Sequence, residues 1–176
     1  MPGSGIRKRR YEDGREWTTY PDGRQRMKHP DGLVVVNYPD GGTEVRRADG
    51  SSERRTADGL VQTVSAEGVV VTTGPDGIRK TRYPDGRLEH LFPTGTVRTV
   101  MPNGVERTVF TDGTVKVRHP DGRLEAVAMD GSREIRYGDG RTEAVTAEGH
   151  RIEVEESGRR VAQMADGSLV EEFPDG

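Results

Sequence analysis

A glycine returns every nine residues through the whole chain, from Gly5, Gly14 and Gly23 in unbroken steps to Gly167 and Gly176. Only Gly3, Gly42, Gly74 and Gly138 stand outside this register. Asp precedes the register glycine in 14 of 20 units, and Pro stands one place earlier in nine, so the phrase is a turn signal. The position three before the glycine takes all five Tyr (Tyr11, Tyr20, Tyr38, Tyr83, Tyr137) and all three Phe (Phe92, Phe110, Phe173). His29 and His119 occupy the same slot. The unit reads G-x-x-x-x-x-[Y/F/H]-[P/A]-D. A fixed period of this length restricts the chain to a repeat architecture in which each unit is stabilised by its neighbours.

Short runs joined by Asp-Gly turns read as β-hairpins. A two-residue loop would put Pro in the last strand position, where its missing N–H would cost a ladder bond in unit after unit. A three-residue Pro-Asp-Gly loop fits better. Pro suits the second position of a type I turn, and Gly then takes the left-handed conformation of a G1 bulge. The strands are then six residues long, 6–11, 15–20, 24–29 and so on to 168–173, nineteen in all. The predicted fold is all-β: a single-layer, elongated, twisted antiparallel meander. Strands of ~20 Å spaced by ~4.8 Å would make a ribbon of ~86 Å. Residues 1–5 are expected to be a leader or cloning scar, and residues 6–176 a single repeat domain.

The even strand length decides the faces. Residues flanking a hairpin loop share a face, so six residues between loops throw the aromatic slot to alternate faces. Both faces then carry aromatics and charge, as a sheet wetted on two sides requires. With 30% hydrophobic and 32% charged residues, the chain is poorly suited to a packed core. The loop-flanking pairs place Tyr11 opposite Arg15, Tyr20 opposite Arg24, Tyr83 opposite Arg87, His119 opposite Arg123 and Tyr137 opposite Arg141. Stacking of this kind is worth roughly 0.5–1 kcal/mol at exposed sites.

Apolar residues are not evenly spread. The face assignment brings Leu91, Val97, Val109, Val115 and Val127 into one cross-strand row. Met101 and Val105 lie in the next-but-one row of the same face. Together with Tyr83, Phe92 and Phe110 from the aromatic slot, Leu91, Val97, Met101, Val105, Val109 and Val115 form the candidate partner-binding set. The row is either the stiffest part of the ladder or a receiver for a peptide. The terminal strands suggest a second contact. The first carries Arg7, Lys8, Arg9 and Arg10, and the last carries Glu171 and Glu172 without a basic residue. Such charges either protect exposed edges or favour head-to-tail pairing.

No catalytic constellation is legible. There is no Cys, no G-x-S-x-G, no H-E-x-x-H and no phosphate-binding glycine loop, so no enzyme is expected. The repeated Asp raises calcium, but nonapeptide calcium repeats need G-G-x-G-x-D-x-U-x, and Asp ahead of a turn glycine caps its own backbone. No cofactor or metal is expected. A net charge of -3 gives no global reason to bind nucleic acid. No apolar run approaches a membrane span, and no signal peptide is read.

The stretch "YPDGRLEHLFPTGTVRTVMPNGVERTVFTDGTVKVRHPDG" resembles the G-box, or T-complex-protein-10-like C-terminal domain. That domain ends the centromere protein J family of centriole-assembly scaffolds. The resemblance spans roughly residues 6 to 176. It implies a solvent-exposed single-layer sheet and binding of a proline-rich segment from a centriole-duplication partner. It also implies end-to-end stacking and a cytoplasmic location at the centriole or centrosome. No individual binding residue is carried over, because every unit matches the same motif. The alternative is a structural or designed β-repeat with no peptide ligand, favoured by the strict regularity.

Overall fold

The computed structural model describes residues 5–174. Residues 1–4 of the proposed leader (1–5) and the last register glycine, Gly176, lie outside the described residues. Nineteen four-residue strands make up all the regular structure among them, from β1 (Arg7–Arg10) and β2 (Glu16–Thr19) to β19 (Leu169–Glu172). They divide into two compact units, one ending at Gly86 and one beginning at Arg87. The first holds β1 to β9 (Arg79–Arg82), and the second β10 (Leu88–Leu91) to β19. Within each unit, strands pair antiparallel in chain order, one layer deep.

The turns are three-residue loops. Tyr20 N–H donates to the Arg24 carbonyl (2.9 Å) and Gly23 N–H to the Tyr20 carbonyl (3.0 Å), around Pro21-Asp22-Gly23. Gly23 has φ +86°, the left-handed bulge position that only glycine occupies without strain. The central four of each six expected residues form the regular ladder, as in β1 and β2. The outer two belong to the hairpin, one closing the turn and the other forming the bulge.

Asp at the third turn position accepts the N–H of the residue after glycine in most turns; at Asp58 the Thr56 hydroxyl takes the Leu60 N–H instead (3.1 Å) and itself donates to Asp58. Asp22 Oδ1 takes Arg24 N–H (3.0 Å), Asp139 takes Arg141 N–H (3.0 Å), and Asn103 takes Val105 N–H (3.2 Å). A longer Glu in this position does not make that bond in two turns. There the slot ahead of the turn holds a hydroxyl: Ser65 Oγ takes Val69 N–H (3.2 Å) and Thr146 Oγ1 takes His150 N–H (3.3 Å). The turn sequences Ser-Ala-Glu-Gly and Thr-Ala-Glu-Gly are thus internally compensated.

Proline has a second task. Strands alternate in direction, so a turn's neighbour on the same sheet edge lies two repeats away. A Cβ built on Gly23 would meet Pro39 Cγ at 2.9 Å, and one on Gly14 would meet Pro30 Cγ at 2.9 Å. Pyrrolidine rings therefore pack onto bare glycines along the edges.

No side chain is fully buried among the described residues. The deepest are Val36 (9%), Ile135 (9%), Ala162 (8%) and the threonines Thr18 (5%) and Thr81 (7%). Each lies mid-strand, shielded by longer side chains on its own face. Stability therefore rests on ladder bonds and cross-strand pairs, each worth ~0.2–1 kcal/mol.

Candidate functional site

The second unit carries the apolar row. Leu91 pairs with Val97, Val97 with Val109, Val109 with Val115, and Val115 with Val127. Their side chains share a face, because directly opposed residues in an antiparallel pair project together. Leu91 and Val127 are exposed, and the three valines between them are half-buried by their neighbours. Arg133 ends the row opposite Val127. Met101 and Val105 close one hairpin on this same face, with Met101 N–H donating to the Val105 carbonyl (2.8 Å). A polar row containing Thr99 and Arg107 runs between them and the valines. The face is therefore a line of aliphatic side chains with a separate apolar patch at the turn.

Phe92 and Phe110 project to the opposite face, as the alternation of the aromatic slot requires. His90 and Phe92 meet edge-on with ring centroids 6.4 Å apart, and Lys116 Nζ lies 5.5 Å from the Phe110 ring centre. This second face is hollow. A groove of about 560 Å³ runs over β11 (Val97–Val100) to β15 (Arg133–Arg136), lined by Arg98, Glu106, Lys116, Arg118, Leu124 and Glu134 among others. Arg98 and Glu106 form an ion pair across it (2.7 Å), as do Arg136 and Glu134 along β15 (2.6 Å). Tyr83 stands in the first unit. The candidate set is thus divided: six members on the aliphatic face, two phenylalanines on the hollow face, and Tyr83 apart from both.

Beyond Val117 the aliphatic face becomes an ion-pair knot. Glu125 receives His119 Nε2 (3.0 Å) and Arg123 (3.3 Å) on one oxygen and Arg133 (3.2 Å) on the other. Ile135 follows, buried between Glu125 and Glu143 in the next register positions. Tyr137 donates its hydroxyl to Glu143 (2.8 Å), and this bond raises the Tyr137 pKa above its ordinary value. Tyr38 and Glu44 repeat the arrangement in the first unit (2.8 Å).

Three of the expected Tyr–Arg stacks are present. Arginine carbons lie 5.2, 4.7 and 4.6 Å from the ring centres at Tyr11–Arg15, Tyr20–Arg24 and Tyr137–Arg141. At His119 the contact with Arg123 is polar, 3.2 Å between nitrogens. These pairs hold hairpins closed.

At the terminal strands, Arg7, Lys8, Arg9 and Arg10 are all exposed, with Arg10 paired to Glu16 (2.9 Å) and Arg9 near the Tyr11 ring (5.1 Å). Glu171 and Glu172 are engaged within their own unit, by Arg159 (3.1 Å) and Arg160 (3.0 Å). No group of three side chains suited to a metal ion occurs among the described residues, and no helix among them is long and apolar enough to cross a membrane.

Fold and surface together define a class: a β-repeat whose sheets are one layer deep, with both faces lined by strand side chains. Comparison with known proteins places it more narrowly. Residues 75–105 match the family model for the T-complex protein 10 C-terminus. The TCP10 domain of Danio rerio CPAP, solved with a peptide of Danio rerio STIL, is 26% identical over 96% of this chain and 99% of that one, with a TM-score of 0.71. A further structure of the wild-type TCP10 domain of Danio rerio CPAP gives 23% identity over 98% and 97%, with a TM-score of 0.62. The Drosophila melanogaster SAS-4 (dCPAP) TCP domain, solved with a proline-rich motif of Ana2, is 21% identical over 74% of this chain and 88% of that one, at a TM-score of 0.68. No curated protein sequence matches. The chain resembles the CPAP G-box family.

Proposed function

We propose that this chain is a non-enzymatic protein-interaction domain that binds a proline-rich peptide of a centriole-duplication partner, in the cytoplasm at the centriole or centrosome. The carrying observation is the likeness, along nearly its full length, to a domain solved with a bound peptide. The aliphatic row supplies a fitting surface. Proline-rich peptides arrive as preformed extended helices and dock on apolar or aromatic side chains with little ordering cost. Leu91, Val97, Val109 and Val115 offer such a line, flanked by Met101 and Val105.

The test is a titration with a labelled proline-rich peptide. Val97→Ala with Met101→Ala should weaken binding about tenfold or more, since each truncation removes ~1 kcal/mol of buried apolar contact. Circular dichroism should stay unchanged, because neither side chain supports a core. Unaltered affinity would remove this row from the site. Phe92→Ala and Phe110→Ala report in parallel on the hollow face.

End-to-end association is the second part of the proposal, through the edges bearing Arg7, Lys8, Arg9, Arg10 and Glu171, Glu172. The internal pairing of Glu171 and Glu172 leaves the basic edge as the stronger electrostatic partner. Light scattering against concentration and salt tests it. A monomer at every concentration in low salt ends the idea.

A further inference from the structure

The first unit presents a face whose charge is not balanced within the protein. Register places Lys8, Arg26, Glu44 and Arg54 in one cross-strand row, with Thr18 and Val36 between them. Arg10, Glu16, Lys28 and Arg46 lie in the next row of the same face. Six strand cations therefore meet two carboxylates, and both carboxylates are taken. Glu16 turns to Arg10 (2.9 Å) rather than to Lys28, its partner in register. Glu44 accepts from Arg46 (2.6 Å) and from the Tyr38 hydroxyl (2.8 Å). Arg24, at the turn, is held by Asp22 (2.8 Å). Among the described residues, Lys8, Arg26 and Lys28 have no carboxylate within ion-pair distance.

The geometry around them is a shallow receptor. Arg26 borders a hollow of about 270 Å³ whose lining includes Tyr20, Val34, Val36 and Tyr38. Arg24 and Arg46 complete the lining beside Arg26. Arg26 and Lys28 are two residues apart on one strand, so they point the same way ~6.6 Å apart, the spacing of alternate side chains in an extended peptide. Lys8 lies two strands from Arg26, ~9.6 Å away.

We infer that this face docks an acidic, extended peptide in which two carboxylates separated by one residue meet Arg26 and Lys28 and a neighbouring apolar side chain enters the hollow. Each contact is a charge-assisted hydrogen bond to a cation not yet paired, so no internal ion pair has to be broken. A single-stranded nucleic acid fits less well. It needs open aromatic faces for base stacking, and here Arg24 lies 4.7 Å from the Tyr20 ring centre and Arg54 lies 5.5 Å from that of Tyr38. This inference concerns the first unit and a ligand of opposite chemistry to an apolar proline-rich segment. It stands or falls independently of the function proposed above.

The test uses the full chain and fluorescein-labelled Ser-Leu-Gly-Glu-Gly-Glu-Gly-Ser, followed by fluorescence anisotropy. Binding should weaken with salt, as exposed charge contacts do. A peptide with both glutamates replaced by lysine should not bind. Arg26→Gln with Lys28→Gln should cost about tenfold or more in affinity, whereas Arg55→Gln with Arg79→Gln, on the opposite face, should leave it unchanged. Circular dichroism checks sheet content, and the two peptides compared on the unaltered chain decide the matter if a variant unfolds. Equal binding of the glutamate and lysine peptides, unchanged affinity in the Arg26/Lys28 variant, or tighter binding of labelled oligothymidylate would each overturn the inference.

Discussion

Replacing Gly23 by Ala puts two costs on one atom, and a second glycine separates them. At φ +86° an L-residue costs roughly 1–2 kcal/mol through crowding of its Cβ against its own backbone. The new methyl would also lie 2.9 Å from Pro39 Cγ, on a ring that is part of the next turn along the edge and cannot swing away. Overpacking of this kind adds about 1–3 kcal/mol. Gly50 is the control. Its φ is +87°, and a Cβ there would meet nothing within 4 Å. Gly50→Ala should therefore cost only the backbone share, about 1–2 kcal/mol, and Gly23→Ala about 2–5 kcal/mol. Each hairpin contains its own reporter amide. Tyr20 N–H bonds the Arg24 carbonyl (2.9 Å), and Arg47 N–H bonds the Ser51 carbonyl (2.8 Å). Native-state hydrogen exchange at these amides reads local opening. Exchange should accelerate about 5- to 30-fold in Gly50→Ala and well beyond that in Gly23→Ala, at ~1.4 kcal/mol per tenfold. Adding Pro39→Ala to Gly23→Ala should recover the packing share in a double-mutant cycle. Equal costs at Gly23 and Gly50, or no coupling between Gly23 and Pro39, would refute the idea that the prolines pack across the edge.

Two further outcomes follow from the turns. The N–H of Arg24 holds the Asp22 carboxyl below the ordinary carboxylate range, and the N–H of Arg141 does the same for Asp139. A lowered folded pKa means stabilisation that is complete above the unfolded value and lost as pH falls through the folded one. Acid below the usual carboxylate range should open these hairpins. Asp22→Asn, which keeps the accepting oxygen as Asn103 does, should flatten the pH response of the Arg24 amide shift; a response as steep as before would assign it to another group. The second outcome concerns compensation. Ser65→Ala leaves Val69 N–H without its hydroxyl and should cost about 0.5–1.5 kcal/mol in urea unfolding, and adding Glu67→Asp should restore most of it by supplying the shorter acceptor. No recovery in the double variant would break the exchange between the two positions.

The turns were legible because Pro, Asp and Gly each have one physical reason to occupy their place, and the period then fixes register. The pairings Leu91–Val97–Val109–Val115–Val127 and the stacks at Tyr11, Tyr20 and Tyr137 follow from that arithmetic alone. Contacts that cross it were not legible. Tyr38 to Glu44 and Tyr137 to Glu143 run diagonally between adjacent strands, and the aromatic slot alone does not announce a partner six residues on. Pro39 against Gly23 becomes visible only when turns are sorted by sheet edge. The hollow lined by Leu124 and Lys116 depends on how the sheet bends, which hydrophobic patterning does not encode. Its one sequence signal was the second set of rows, Leu88–Val100–Glu106–Arg118–Leu124, on the face opposite the aliphatic line.

The alternation of the aromatic slot makes each nine-residue phrase half of a screw operation: one step along the sheet also turns the phrase over. The translational repeat within each unit is therefore eighteen residues, two phrases long. Losing or gaining a single phrase within a unit would carry every later side chain of that unit to the other surface and every later turn to the other edge, while the remaining strands keep the same pattern of ladder pairing. Changes in length that preserve the surfaces must come in pairs. A sheet of this kind measures its own sequence modulo eighteen, and parity rather than length decides which surface a partner meets.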